Sequence, residues 1–270
     1  MKGNRRLKML FERKKENERI LSLFLTAGYP DPGWSAELIV GLAEHGADLI
    51  EIGMPFSDPL ADGPTIQYSS QVALEQGITM EKTLQIVQDV RAQTDIPLIL
   101  MGYTNPLISY GVERFCEDAV KAGADGLIIS DLPPEESGLL RSSTRMAGLS
   151  MIFLVAPNTP DERMRRIDEI SDGFIYCVSV TGVTGARDGD EIADSVDRFI
   201  ERVNRNITRN PTLIGFGIRS RDDAIRISKN VDGFIVGSSL IDLIRESYPN
   251  SGWDKKVYSF VKQLKIGNIK

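Results

Sequence analysis

Eight short apolar runs recur along the chain, each separated from the next by an amphipathic stretch. They read LSLFLTAG (21–28), DLIEIGMPF (48–56), PLILMGYTN (97–105), GLIISDL (126–132), SMIFLVAP (150–157), GFIYCVSV (173–180), PTLIGFGI (211–218) and GFIVGSSL (233–240). Strands that alternate with helices imply a parallel sheet, because each return crossing needs a helix. The runs are apolar almost throughout, as expected of strands covered on both faces. Four segments share one grammar of helix end, small or acidic turn and apolar strand: EHGADLIEIG, KAGADGLIISD, EISDGFIYCV and KNVDGFIVGS. Such internal repetition marks a repeated structural unit. Eight βα units predict an α/β fold, a closed (β/α)8 TIM barrel. The alternative, a doubly wound open sheet, favours a G-x-G-x-x-G turn after its first strand. Here that turn is TAGYPDPG.

No linker-like segment divides the 270 residues, so a single domain is expected. Residues 1–19 read as an N-terminal helical segment, 21–240 as the eight βα units and 241–270 as C-terminal helices. Within the first segment, Asn4 to Arg19 is charged and amphipathic, with Leu7, Leu10 and Phe11 apolar. A helix closing the barrel floor is expected there.

Composition removes several function classes. The net charge is −6, whereas a nucleic-acid partner calls for a basic face. No apolar run approaches the roughly 18–20 residues that span a bilayer. The first residues, MKGNRRLKMLFERKKENER, lack the apolar core of a signal peptide. Cys116 and Cys177 are the only cysteines; a disulfide framework is excluded, and a reducing, cytoplasmic location is expected. With His45 the sole histidine, no metal site is expected, since zinc needs about four N, S or O ligands. His45 itself reads as a surface or helix-terminal residue. Acid–base chemistry near neutral pH then falls to carboxylates, Tyr or Lys.

Two connections are long: Phe56 to about Thr79, and TGVTGARDGDE after the sixth run. Barrel active sites sit in the loops that follow the strands, and long loops are often functional. In DLIEIGMPF, Ile50 and Ile52 share one face while Leu49, Glu51 and Gly53 share the other. If the isoleucines meet the helices, Glu51 points into the barrel. A carboxyl buried there is pushed toward neutrality and suits a proton shuttle; taken alone, it reads equally well as half of a strand-end salt bridge. Asp62 and Asp58 each fit a turn, and Tyr176 fits core packing. The last two runs end in small residues, Gly217, Gly237, Ser238 and Ser239. Phosphate is often bound at this corner of a barrel by backbone N–H groups and a helix N-terminus, although simple strand-to-helix turns use the same residues.

The stretch IEIGMPFSDPLADGPTIQ, taken in order with FLTAGYPD, GYTNPL, GADGLIISDLPPEES, FLVAPNT, IYCVSVTGVTGAR, GFGI and VGSSL, closely resembles the α subunit of tryptophan synthase. The resemblance runs from Phe24 to about Leu240. It implies retro-aldol cleavage of indole-3-glycerol phosphate to indole and glyceraldehyde 3-phosphate. Carried over by position, Glu51 is the general acid–base and Asp62 the partner of the indole N–H. Tyr176 stands with them as a catalytic residue. The indole pocket would comprise Phe24, Ile66, Met101, Ile128, Phe216 and Ile235, with Tyr103 beside it. Gly185, Gly217, Gly237 and Ser238 would hold the phosphate, and Thr184 would close over Asp62. The same resemblance implies no cofactor in this chain and a partner β subunit that carries pyridoxal phosphate in an αββα complex. Pro55, Asp58, Asn105 and Pro133 match positions near that interface. A stand-alone indole-3-glycerol phosphate lyase shares the fold and the reaction. Val180, Thr181 and Arg219 stand at positions where the family also carries other residues. Arg219 could alter phosphate affinity. Two further readings remain: another phosphate-binding barrel enzyme, such as an isomerase or an indole-forming ring-closure enzyme, and a barrel that only binds and activates a partner.

Overall fold

The acidic turns of the repeat explain how the barrel is closed at its base. The computed structural model describes residues 2–178, 189–215 and 217–265. Its strands are β1 (Ile20–Thr26), β2 (Leu49–Gly53), β3 (Leu98–Gly102), β4 (Gly126–Ile129), β5 (Ser150–Val155), β6 (Ile175–Val178), β7 (Thr212–Gly215) and β8 (Gly233–Val236). They form one closed, all-parallel barrel in sequence order, with β8 pairing back to β1. The Asp48 carboxylate, just before β2, accepts the Leu21 N–H of β1 at 2.8 Å. Asp125, before β4, accepts the Leu98 N–H of β3 at 2.9 Å. Asp232, before β8, accepts the Thr212 N–H of β7 at 2.9 Å. In each case the turn acid satisfies a donor at the start of the preceding strand, which would otherwise be buried without a partner.

Strand parity sorts the core into two layers. The inward side chains Ile20, Leu49, Ile99, Ile128, Ile152, Phe174, Leu213 and Ile235 pack together in the barrel interior. Ile50, Ile52, Leu98, Leu100, Leu127 and Ile129 face the surrounding helices. The Ile pair on β2 therefore meets the helices and Glu51 points inward, as the alternation requires.

The helices are α1 (Lys2–Arg13), α2 (Ser35–Glu44), α3 (Pro64–Glu75), α4 (Met80–Arg91), α5 (Thr104–Tyr110), α6 (Val112–Ala122), α7 (Gly138–Ala147), α8 (Asp161–Ile170), α9 (Gly189–Asn206), α10 (Arg221–Ile227), α11 (Ser238–Ser247) and α12 (Trp253–Leu264). α1 closes the floor: Leu7 is fully buried in the interior layer, and Phe11 packs against Phe174 with ring centroids 6.1 Å apart. It stops at Arg13, six residues short of the expected Arg19. Arg19 is used elsewhere: its guanidinium donates to the Ser228 and Lys229 carbonyls just beyond α10, at 2.7 and 2.8 Å. Arg91 and Arg6 pair with the fully buried Asp125 at 2.7 and 3.4 Å, tying α1 and α4 to the base of β4. His45 caps α2, with Nδ1 donating to the Gly41 carbonyl at 2.7 Å and its ring stacked on Tyr258.

Candidate active site

β1 and β2 place the reactive carboxyl. Their register sets Phe24 beside Glu51 and Ser22 beside Leu49, so Ser22 lies one inward step nearer the floor than Glu51. Glu51 is 0% exposed. Ser22 Oγ donates to its Oε1 at 2.7 Å, and Oε2 has no hydrogen-bond partner. Among the described residues no cation balances it. Burial pushes the Glu51 carboxyl up to about 7, against the opposing pull of the Ser22 hydrogen bond. Among the described residues Glu51 thus has a serine and no salt-bridge partner.

Above this carboxyl, at the C-terminal ends of the strands, lies a cavity of about 250 Å³. Phe24, Ile66, Met101, Tyr176, Val178 and Ile235 give it apolar walls, and Asp62 stands at its rim. Glu51 does not line it; in this pose the carboxyl is held beneath the cavity. Glycines make the room. A Cβ at Gly215 would come within 2.7 Å of the Tyr176 hydroxyl, and one at Gly53 within 2.5 Å of Phe24 Cζ. Burial, then the nearby charges of Glu51 and Asp62, push the Tyr176 hydroxyl well above the usual tyrosine range, so it stays protonated.

Asp62 is held by its own loop and by β3. The Tyr103 hydroxyl accepts the Ala61 N–H at 3.1 Å and hydrogen-bonds the Asp62 carboxyl. Burial raises the Asp62 carboxyl and the Tyr103 bond opposes that rise. Tyr103 is itself buried, packed on Phe56 at 5.4 Å between ring centroids. It thus braces Asp62 and does not line the cavity.

The far end of the cavity is polar backbone: Gly215, Gly217, Gly237, Ser238 and Ser239. Ser238 opens α11, whose first N–H groups have no partner within the helix. Gly217 has φ +40°, a conformation that favours glycine. Ser239 Oγ donates to the Ile218 carbonyl at 2.6 Å and so joins the two loops. Arg219 is exposed and lies outside the lining; its backbone N–H is held by Asp223 at 3.3 Å.

Of the residues expected from sequence, Phe24, Asp62, Ile66, Met101, Tyr176, Gly217, Ile235, Gly237 and Ser238 line this one cavity. Ile128 does not. It is fully buried among Ile99, Ile152 and Leu213, because strand tilt sets neighbours in register at different heights in a barrel. Thr184, Gly185 and Phe216 lie outside the described residues, as do Val180, Thr181 and most of the loop after β6. Gly63, Val178, Gly215 and Ile218 also line the cavity, and Ser22 holds Glu51; none was expected. Ser22 was signalled by parity alone, since it shares the inward face of β1 with Phe24. Pro55 and Asp58 follow β2, Asn105 is the second residue of α5, and Pro133 follows β4, all on the cavity side of the barrel. The connections on that side also carry two exposed apolar side chains, Leu60 in the loop after β2 and Ile108 in α5, at 93% and 62% exposure.

The family model described as tryptophan synthase alpha chain matches residues 10–267. A tryptophan synthase alpha chain from Geotalea uraniireducens (strain Rf4) is 47% identical over 253 residues, which cover 94% of this chain and 93% of that one. A tryptophan synthase from Saccharomyces cerevisiae is 44% identical over 242 residues, 89% of this chain but 34% of that longer protein. Among solved structures, tryptophan synthase subunit alpha from Legionella pneumophila str. Paris superposes with a TM-score of 0.86 at 35% identity over 96% of each chain. A chain in aminoacrylate-bound tryptophan synthase from M. tuberculosis gives 0.84 at 33% identity, covering 96% of this chain and 97% of that one.

Proposed function

This chain belongs to the tryptophan synthase alpha family, a family of lyases, and from that premise we propose that it cleaves indole-3-glycerol phosphate to indole and glyceraldehyde 3-phosphate. The observation that carries the reading is a dry carboxyl near neutrality, bonded among the described residues only to a serine, beneath an apolar cavity with a carboxylate at one end and a glycine-rich helix start at the other. The flat ring fits the apolar walls of Phe24, Ile66, Met101 and Ile235. The phosphate fits the N–H groups at Gly217, Gly237 and Ser238. Asp62 accepts the indole N–H.

The acid form of Glu51 starts the reaction. Its carboxyl turns up from Ser22 and gives its proton to indole C3. The positive charge that results spreads to the ring nitrogen, where Asp62 stabilises it. The new Glu51 carboxylate then takes the proton of the hydroxyl next to the ring. The O–H electrons form the aldehyde, the bond between C3 and the side chain breaks, and its electron pair restores the ring. Glu51 ends protonated, ready for another turnover. The protonated ring is the electron sink, so this reading assigns no metal or organic cofactor to the chain itself.

The product would pass to a β subunit carrying pyridoxal phosphate, in an αββα complex in the cytoplasm. Support comes from the exposed Leu60 and Ile108 beside Pro55, Asp58 and Asn105, and from the yeast relative, which extends far beyond the matched region. The test is indole release from indole-3-glycerol phosphate by the isolated chain, then with a tryptophan synthase β subunit added. Release that rises strongly on addition supports both parts of the proposal. Release that β leaves unchanged favours a stand-alone lyase, and no release in either case overturns the assignment.

A further inference from the structure

The residue that hydrogen-bonds the reactive carboxyl is one that the reaction scheme leaves without a task. Ser22 is itself 0% exposed, and among the described residues its hydroxyl bonds only the Glu51 carboxyl. It sits one inward step below Glu51 on the neighbouring strand. A bond to it therefore draws the carboxyl down and away from the cavity, and Glu51 is absent from the cavity wall. We infer that Ser22 is a positioning residue for Glu51, holding the resting carboxyl beneath the cavity by its Oε1 and governing how readily that carboxyl gives up its proton.

The inference rests on the lyase reading for its catalytic meaning but not for its physics. A hydroxyl that donates to a carboxylate stabilises the charged form. With Oε1 already accepting from Ser22, Oε2, the oxygen without a partner, carries the proton in the acid form. Around the carboxyl, β3 presents Ile99 and Met101, β8 presents Ile235 and β6 presents Tyr176. Tyr176 is the ionisable side chain whose charge couples to Glu51, and it stays protonated in this range. Among the described residues, Ser22 is thus the polar partner that sets the proton affinity of the resting carboxyl against burial.

The experiment compares wild type, Ser22→Ala, Ser22→Thr and Glu51→Gln, all as the full chain. Carboxyl 13C NMR titration follows Glu51, its resonance assigned by its loss in Glu51→Gln. In parallel, the pH profile of kcat/KM for indole release reports the free enzyme. In Ser22→Ala the Glu51 midpoint and the alkaline limb of kcat/KM both move up by about one pH unit. In Ser22→Thr, which keeps a hydroxyl, both return toward wild type. Circular dichroism checks that each variant is folded. A Ser22→Ala midpoint equal to wild type overturns the inference, whatever the activity. Absence of indole release from wild type overturns the lyase reading and leaves the titration result standing, so the two failures are distinguishable.

Discussion

Replacing Glu51 by glutamine should make the protein more stable at alkaline pH while removing its activity. The ordinary glutamate value of 4.5 is raised by burial to about 7 in the folded chain. Below pH 4.5 the carboxyl is protonated in both states and costs folding nothing. Between 4.5 and about 7 the unfolded chain releases the proton and the folded chain keeps it, so stability falls as pH rises. Above about 7 the loss is complete. The separation of the two values corresponds to about 3 kcal/mol. The group is fully buried, so solvent screening does not reduce this figure. Glutamine fills the same space, still accepts from Ser22 and has no charge to bury. The assay is urea unfolding of wild type and Glu51→Gln at pH 5 and pH 8, followed by fluorescence and circular dichroism. The variant should gain about 3 kcal/mol over wild type at pH 8 and under 1 kcal/mol at pH 5. An equal gain at both pH values, or a loss at pH 8, would refute the reasoning, because it would mean that the carboxyl does not sit uncompensated in the fold.

Other outcomes follow from the same contacts. Asp62→Asn should lower turnover by about 10²–10³ with normal folding, since it removes the charge facing the indole nitrogen; steady-state kinetics check this. Asp125→Ala should cost about 3–5 kcal/mol in urea unfolding, because it leaves Arg91 and the Leu98 N–H without their partner. Leu60→Asp should leave indole release by the isolated chain unchanged and weaken activation by a β subunit, measured by titrating β into a fixed amount of the chain.

The barrel was legible because its signals are local and repeated. Period-two alternation in DLIEIG put Glu51 inside, and the acid before each of three strands turned out to hold the strand before it. Membership of one cavity was legible for residues at strand ends, such as Phe24, Met101 and Ile235. What escaped depends on relations between distant segments. Ile128 follows the same alternation as Met101, its partner in register, yet strand tilt drops it into the layer below. Tyr103 was expected beside the ring; its hold on the Asp62 loop was not legible, because that loop lies 42 residues away in sequence. Ser22 reads as one polar residue in an apolar strand until the register shows which side chain it meets. The end of α1 was misplaced because Arg19 is recruited by carbonyls 209 and 210 residues further on.

The central claim is that the buried carboxyl at position 51 moves the proton that frees indole. Single-turnover cleavage of indole-3-glycerol phosphate, with enzyme in excess, tests it most directly in wild type and Glu51→Gln. The account predicts indole formation slowed by about 10²–10⁴ or more in a variant that still binds substrate and still folds. Indole released by Glu51→Gln at the wild-type rate would contradict it.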